Sequence, residues 1–519
     1  MNFGIVLYIQ SFLVITIGLF QIFPLIFAIY YYKIEYNVAI NSLNTINSFI
    51  YSIIITIAMG IIINLAMKKY RKTEVKIRES FAVVTFGWVF AAFFASLPFL
   101  IHAYFLNYPS TGSINTFTDA YFEMMSGFTT TGSTILTDIE VLPKGLLFWR
   151  SLSHWLGGMG IILLTVAILP ALGVGGMQLY QAEVPGPITD KIAPRISQTA
   201  KILWGVYLLF TVIETILLML GGMDFFDSLC HTFGTIATGG FSTKNLSVGH
   251  YNSTYINLVI TVFMFLAGTS FTLHYRFLKG NLSAYTKDSE FKFYFSVILL
   301  STIIIMLDTY QKSNEYSVIK SVESVLFQVV SIITTTGYGI GLDSATNANS
   351  AQNISIFQFG IWSTFSQSIM ILLMILGGSA GSTGGGVKNI RVLLAIKFMF
   401  NEIIKFIYPR HVKLIRVGQN VIKQSILLST LGFLIIHIII TMLATVVMNF
   451  LENDFIISFT SVIATLNNIG PGLGKIGPTG NFSEISSVGK WVLSFCMLLG
   501  RLELYSVIII FFPIAWKKN

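Results

Sequence analysis

The sequence predicts an all-α polytopic membrane protein. An N-terminal helical pair comes first, then four pseudo-symmetric units, each a span, a half-helix, a loop and a second span. Three observations carry this reading. Of 519 residues, 54% are hydrophobic and only 11% charged, where soluble domains carry about 25% charged residues. The mean hydropathy is +0.75, and apolar stretches near the ~20 residues a helix needs to cross hydrocarbon recur along the whole chain. A short polar, glycine-bearing stretch follows an apolar segment four times, roughly every hundred residues, a period too long for a solenoid unit.

Residues 7–32 and 47–67 form the N-terminal pair, assigned to 1–79. The first stretch lacks a basic leader and is too long for a signal-peptide core, so it reads as a spanning helix. Unit 1, 80–180, places spans at 81–104 and 146–172 around a half-helix at 118–129. Unit 2, 181–280, has spans at 202–220 and 256–274 around 226–237. Unit 3, 281–405, has spans at 293–307 and 356–376 around 322–333. Unit 4, 406–519, has spans at 422–451 and 491–514 around 455–466. The total is about ten spans of crossing length. The half-helices are too short to cross, and irregular backbone at membrane depth is tolerated only where it is buried or lines water.

Lys and Arg set the orientation. Lys68, Lys69, Arg71, Lys72, Lys76 and Arg78 flank the second stretch, Lys191, Arg195 and Lys201 follow the fourth, and Arg276 and Lys279 follow the sixth. The densest group runs from Lys388 and Arg391 through Arg410 and Lys413 to Arg416 and Lys423, and Lys517 and Lys518 end the chain. Counting spans puts all of these on one face, assigned to the cytoplasm, so the four loops open to the other. The net charge of +9 is therefore a positive-inside signature, not nucleic-acid affinity. Cys230 and Cys496 lie far apart in apolar surroundings and read as small buried hydrophobes, neither a disulfide nor a metal pair.

The four loops carry the chemistry. Their candidate ion-binding residues are Thr130, Thr131 and Gly132; Ala237, Thr238 and Gly239; Thr335, Thr336 and Gly337; and Asn468, Ile469 and Gly470. Glycine admits φ > 0, so neighbouring carbonyls can turn the same way, and small Thr neighbours add hydroxyl oxygens. Four such loops on one axis make a ring of oxygens around a central pore for a dehydrated cation. Each half-helix also directs a C-terminal partial charge of about −0.5 at the space below its loop. At ~8 Å and an effective dielectric of about 20, four of them favour a monovalent cation by ~4 kcal/mol. A single glycine-bearing loop of this kind is ordinary; four of them after four half-helices are not.

Two further features stand out. Gly377, Gly378, Gly381, Gly384, Gly385 and Gly386 interrupt an apolar helix in unit 3, and each costs ~1 kcal/mol of helix propensity relative to Ala. A break or hinge is one reading, and close helix packing through Gly377, Gly381 and Gly385 is the other. A Walker A loop is excluded, because no Gly-Lys-Ser/Thr follows the glycines. Arg501 lies in the last span with Glu503 two residues on. A charge there faces a water path or a partner, and Glu503 and Glu123 are the partners a purely structural role would use. His154 reads as a helix-packing residue rather than a proton relay, and Glu123 as a tie from half-helix to loop.

The chain resembles bacterial Trk-type potassium uptake proteins, the TrkH/TrkG branch of the superfamily that includes Ktr and plant HKT transporters. The resemblance rests on the four loops, on 149–160 with Trp149, Arg150, His154, Gly157, Gly158 and Gly160, and on 182–187. It also rests on 408–412, on 466–472, and on 499–503 with Gly500, Arg501 and Glu503. It implies that the four loops form a potassium filter and that the glycine run is an intramembrane gate lying under it. It places Arg501 toward the pore below the filter, where at ~6 Å and dielectric about 20 it repels a cation by ~3 kcal/mol. It further implies a non-enzymatic transporter of the bacterial plasma (inner) membrane, with both termini cytoplasmic. The resemblance implies, too, a subunit that pairs as a homodimer and docks a cytosolic TrkA-type regulatory ring. No cofactor beyond K⁺ is expected on this chain. ATP, ADP or NAD belongs to the partner, since a Gly-x-Gly-x-x-Gly following a strand is absent. Na⁺ uptake or Na⁺-coupled K⁺ entry stays open, because the second and fourth loops depart from Thr-Thr-Gly. A membrane enzyme would need a cluster of His, Asp and Glu ligands or an activated nucleophile, and the sequence offers neither.

Overall fold

The structure, a computed structural model, describes residues 1–34, 39–71, 73, 75–105, 114–160, 196–312, 318–340, 358–409, 414–418 and 420–516. Lys72, the end of the 146–172 stretch, the 182–187 motif, Lys191, Arg195, residues 356–357, Arg410, Lys413, Lys517 and Lys518 lie outside the described residues.

The N-terminal part comprises α1 (Phe3–Phe20), α2 (Ile22–Ile34) and α3 (Ala39–Met67), with α1 and α3 packed on each other and on α4 (Ile77–Phe105). The first apolar stretch is thus two helical segments meeting at Gln21, whose buried amide donates to Phe94 O at 3.2 Å and accepts from Ser52 Oγ at 2.9 Å. A polar side chain at mid-membrane needs such partners. Gln10 makes a parallel tie to Val83 O at 2.6 Å. These two amides dock the N-terminal helices on α4.

Unit 1 continues with the half-helix α5 (Phe117–Phe128) and α6 (Lys144–Gly158). Unit 2 is α7 (Ile196–Leu220), half-helix α8 (Phe225–Ile236), α9 (Thr254–Ala267) and α10 (Phe271–Leu278). Unit 3 is α11 (Ser289–Lys312), half-helix α12 (Val318–Ile333), α13 (Thr364–Ile375) and α14 (Asn389–Ile407). Unit 4 is α15 (Gln424–Glu452), half-helix α16 (Phe455–Leu466), α17 (Ser487–Arg501) and α18 (Tyr505–Phe511). A two-residue antiparallel pair, Arg416–Val417 with Asn420–Val421, precedes α15. Three half-helices begin at side-chain caps: Thr116 in a reciprocal box with Asp119, Asp224 on Asp227 N, and Asp454 on Ile457 N. Each cap satisfies donors the first turn cannot pair internally.

The ten expected spans are not alike, and parts of two of them, 161–172 and 356–357, lie outside the described residues. Among the described residues six helices are long and apolar enough to cross. Two expected spans are sharply broken, α9 against α10 by 100° and α17 against α18 by 118°. α13 is only 12 residues long before the glycine run begins. The reason is local: the second helix of each unit reaches a glycine (Gly158, Gly268, Gly377, Gly500) and stops where it meets the ring of half-helices.

Packing closes that ring. The second helix of each unit lies on the half-helix of the next: α6 on α8, α9 on α12, α13 on α16, and α17 back on α5. The half-helices are buried along their final two turns. The outer spans α3, α7, α11 and α15 expose Ile62, Val212, Leu300 and Val446 on their outward faces, as helices in lipid do. Gln21→Leu should remove two buried hydrogen bonds and lower unfolding stability by about 1–2 kcal/mol. Thermal unfolding of detergent-solubilised protein checks this, and an unchanged midpoint would contradict it.

Candidate functional site

All four half-helices end in the same way. After α5, Thr130 N donates to Gly127 O at 3.1 Å and Thr131 N to Ser126 O at 2.9 Å. The counterparts are Thr238 N to Thr235 O with Gly239 N to Gly234 O, Thr335 N to Ile332 O with Thr336 N to Ser331 O, and Asn468 N to Thr465 O with Ile469 N to Ala464 O. This paired 5→2 and 6→1 closure is a Schellman cap, whose C′ residue must be left-handed. Glycine usually fills that position, but here it holds Thr130 (φ 53°), Thr238 (53°), Thr335 (60°) and Asn468 (53°). A β-branched residue there costs about 1–3 kcal/mol, so the surroundings hold three threonines in strained backbone.

Two residues further on, φ is positive again, at Gly132 (83°), Gly240 (77°), Gly337 (79°) and Gly470 (102°). The spacing in sequence equates Gly239 with Gly132, Gly337 and Gly470, but the backbone does not. Gly240 takes the glycine position, Gly239 takes that of Thr131, Thr336 and Ile469, and Ala237 is the C-cap residue. The register of the second loop is thus one residue later than sequence alone suggested.

The four glycines form a closed circuit of contacts. A Cβ on Gly132 would overlap Gly239 O, one on Gly240 would overlap Thr336 O, and one on Gly337 would overlap Ile469 O. A Cβ on Gly470 would lie 2.7 Å from Thr131 O, which closes the circle. Loops 1, 2, 3 and 4 therefore surround one axis in chain order, each α-carbon resting on the next loop's carbonyl oxygen. None of the described backbone hydrogen bonds ends on Thr130, Thr131, Thr238, Gly239, Thr335, Thr336 or Ile469 O. All four glycines also line one cavity, shared with Ser133 and Ser242, on the side away from the half-helices.

Side chains behind the ring differ from unit to unit. Glu123 of α5 accepts from Thr134 Oγ1 and Ile135 N, both at 2.9 Å, and from Arg150 Nε at 2.6 Å. Arg150 also donates to Ser242 O at 2.8 Å and stacks on Phe241 at 3.6 Å, so one buried ion pair ties units 1 and 2. In unit 2, His231 replaces Glu123 and bonds Ser242 Oγ at 2.9 Å. Tyr338 of loop 3 donates to His231 O at 2.9 Å. Asn468 Nδ2 donates to Thr131 Oγ1 at 2.9 Å and Met497 O at 3.0 Å, and Ser133 Oγ donates to Gly470 O at 2.9 Å. His154 explains the odd second loop. Its ring stacks on Phe241 at 4.0 Å, accepts from Phe241 N and fills the volume a side chain at Gly239 would need.

On the half-helix side lies the glycine-rich segment. Gly377 N donates to Val387 O and Ser379 N to Gly268 O, so the segment is an ordered loop and the helix-packing alternative does not apply. It touches units 2, 3 and 4 itself. Thr383 Oγ1 donates to Ile236 O at the end of α8 at 3.0 Å, and Gly385 N donates to Thr335 Oγ1 at 2.6 Å. A Cβ on Gly384 would lie 3.0 Å from Thr334 O, and one on Gly385 2.5 Å from Asn467 O. Arg501 supplies the link to unit 1: Nη1 donates to Thr383 O at 3.0 Å and Thr130 Oγ1 at 3.1 Å, and Nη2 to Gly157 O and Gly158 O. Glu503 instead pairs with Arg391, and Glu123 with Arg150, so neither plays the neutralising role considered from sequence. Glu290 of α11 pins the segment through Ala380 N at 2.7 Å and Ile390 N at 3.0 Å, Asn389 donates to Gly377 O, and Lys388 donates to Gly384 O.

A closed fourfold ring of strained loop caps, backed by half-helices within one chain, narrows the family to one that comparison with known proteins identifies. The TrkH family of cation transport proteins matches residues 45–293 and 348–517. This chain belongs to that family. Relatives include the Trk system potassium uptake protein TrkH of Escherichia coli K12, 39% identical over 449 residues, covering 86% of this chain and 88% of that protein. TrkH of Halomonas elongata is 36% identical over 473 residues, covering 91% and 92%. TrkG of Escherichia coli K12 is 32% identical over 448 residues, covering 86% and 87%. The crystal structure of the potassium transporter TrkH from Vibrio parahaemolyticus superposes with a TM-score of 0.82 at 32% identity, covering all of both chains. The TrkH fold is thus shared over the full length, and the family is one of transporters rather than enzymes.

Sequence reasoning missed Gly240, Thr383, Lys388, Asn389 and Glu290. Gly240 was signalled only by its adjacency to Gly239, Thr383 and Glu290 act through contacts far apart in sequence, and Lys388 and Asn389 bind carbonyls within the folded glycine-rich segment itself. Gly239→Ala should destabilise the protein, and His154→Ala in the same chain should restore part of the loss, a coupling of about 0.5–3 kcal/mol. Gly240→Ala should show no such rescue, since backbone oxygen and positive φ oppose it. Thermal unfolding of the single and double variants decides this; additive losses would refute the assignment.

Proposed function

We propose that this chain is a potassium uptake subunit of a bacterial inner membrane, admitting K⁺ down its electrochemical gradient through the ring of four loops. One observation carries the reading: the unbroken circuit from Gly132 through Gly240 and Gly337 to Gly470, which gathers carbonyl oxygens of four loops around one axis. Such a ring replaces a dehydrated cation's water shell. Four half-helix C-termini behind it add ~4 kcal/mol at ~8 Å and a dielectric of about 20, enough to offset part of the dehydration without trapping the ion. The ligand set is Thr130, Thr131 and Gly132; Thr238, Gly239 and Gly240; Thr335, Thr336 and Gly337; and Asn468, Ile469 and Gly470. The printed names of the relatives, Trk system potassium uptake proteins, favour K⁺ as the cargo.

The glycine-rich segment is then the gate. Together with Arg501 it bridges all four units beneath the ring, so ions cannot pass until it moves. Arg501 adds a barrier of ~3 kcal/mol at ~6 Å and dielectric about 20, and its contact with Thr383 O makes it part of the same lock. The positive-inside pattern supports a cytoplasmic position for the gate side and both termini. The subunit works as a homodimer under a cytosolic TrkA-type ring that holds the nucleotide, docked at the outer part of the basic stretch toward Arg416 and Lys423, since Lys388 and Arg391 at its start are buried.

Flux into vesicles with K⁺, Rb⁺ and Na⁺, with and without the regulatory partner, tests the reading. K⁺ and Rb⁺ should exceed Na⁺; Na⁺ flux equal to or required for K⁺ flux would replace potassium uptake with sodium entry or coupling. Arg501→Ala should raise passive flux by up to ~100-fold, the rate equivalent of ~3 kcal/mol. Gly381→Val should change open probability while leaving the reversal potential fixed; a joint shift of both would contradict a separate gate.

A further inference from the structure

The inner mouth of the ring already holds positively charged donors. Thr130 and Thr335 face each other across the axis, as loops 1 and 3 of the circuit, and both side chains are fully buried. Thr335 Oγ1 accepts from Gly385 N at 2.6 Å, and Thr130 Oγ1 accepts from Arg501 Nη1 at 3.1 Å. Gly385 and Thr383, the latter also held by Arg501, are two residues apart on one strand of the gate. Lys388, itself buried, donates to Gly384 O on that same strand. The half-helix C-termini nearest the gate present Ile236 O, Thr334 O and Asn467 O to Thr383, Gly384 and Gly385. One N–H dipole and two cationic side chains therefore occupy the negative field that four half-helices create.

A hydroxyl oxygen that accepts a hydrogen bond at 2.6 Å has that lone pair committed. The oxygen's second lone pair stays open, but a cation arriving at it is repelled by the positive end of the Gly385 N–H at Thr335 and by the Arg501 guanidinium at Thr130. Among the described residues, Thr238 and Asn468, the other two at this level, have no comparable donor from the gate: Thr238 Oγ1 turns to Ala237 O, and the Asn468 amide to Thr131 and Met497. The conflict is thus confined to the diagonal Thr130–Thr335.

We propose that the gate is a tethered competitor of the permeant cation: the strand Thr383–Lys388, with Arg501, and a K⁺ ion at the inner mouth are alternative occupants of the Thr130 and Thr335 hydroxyls. The inference rests on the potassium-transport reading above. A ligand that binds only one of two states shifts the equilibrium toward it, so K⁺ at the inner mouth drives the gate open, and an open gate raises affinity there by the same factor. Permeant ion and regulatory partner then act on one equilibrium. The partner's signal sets how much K⁺ is needed to open the gate.

Amide hydrogen exchange across residues 377–388 of the full chain in lipid nanodiscs, in KCl against choline chloride at equal ionic strength, reads the gate directly. KCl should speed exchange of the segment about threefold to tenfold, the worth of one net hydrogen bond. Thr335→Val should exchange fast in both salts, whereas Thr335→Ser should keep the wild-type response. Should Thr335→Val fail to fold, Lys388→Gln serves instead, and the K⁺ concentration for half-maximal exchange should fall severalfold. Equal exchange in the two salts, a wild-type response in Thr335→Val, or an unshifted midpoint in Lys388→Gln overturns the proposal. Vesicle flux on the same preparation separates the two claims: K⁺ flux with salt-independent exchange defeats the competitor alone, while absent K⁺ flux defeats the transport reading beneath it.

Discussion

Four glycine α-carbons each rest against a carbonyl oxygen of the neighbouring loop, and the rest of the chain is arranged so that this contact can exist. A methyl group at any of the four positions would collide with backbone, which cannot swing aside as a side chain can. The contact also demands positive φ, so glycine is required twice over at each place. Loops held this closely bring carbonyl oxygens of all four units together around one axis. The Schellman caps, the strained threonines and the second helices that stop at glycines all serve this approach.

The ring is fourfold in its backbone and not in its supports. Units 1 and 2 share the Glu123–Arg150 pair and the His231–Ser242 bond, while the equivalent positions of units 3 and 4 carry Gln328 and Ser461. At the hydroxyl position two residues beyond the ring glycine, Thr134 and Ser242 give way to Gly339 and Gly472. The charged brace therefore lies in units 1 and 2, while Gly384 and Gly385 of the gate press on loops 3 and 4. Removing one member of the buried Glu123–Arg150 pair would leave an uncompensated charge, which makes that brace far costlier to break than to keep.

Charge placement beneath the ring follows from the same geometry. Half-helix C-termini converge on a small space, and something positive must answer them. In this conformation Arg501, Lys388 and the Gly385 N–H do so, each with oxygen partners at hydrogen-bond distance. Arg501 is suited to this by its fork of donors, which reaches Thr383, Thr130, Gly157 and Gly158 at once.

Hydropathy, the recurrence of Thr-Thr-Gly and the placement of Lys and Arg were enough to read an all-α membrane chain with four half-helices, and those half-helices fall within a few residues of where the apolar pattern put them. These features are local: span length answers to bilayer thickness, and a left-handed cap answers to the residues beside it. What no local pattern could decide was which glycine of the second loop belongs to the ring. That depends on the His154 ring, eighty-odd residues earlier, filling the space beside Gly239. The sharp breaks after α9 and α17 were likewise invisible, because an apolar run reads alike whether straight or bent by 100° or 118°. The partners of Arg501 were beyond reach for the same reason. A buried charge pairs with whatever oxygen the fold brings near, and Glu503, close in sequence, was already taken by Arg391.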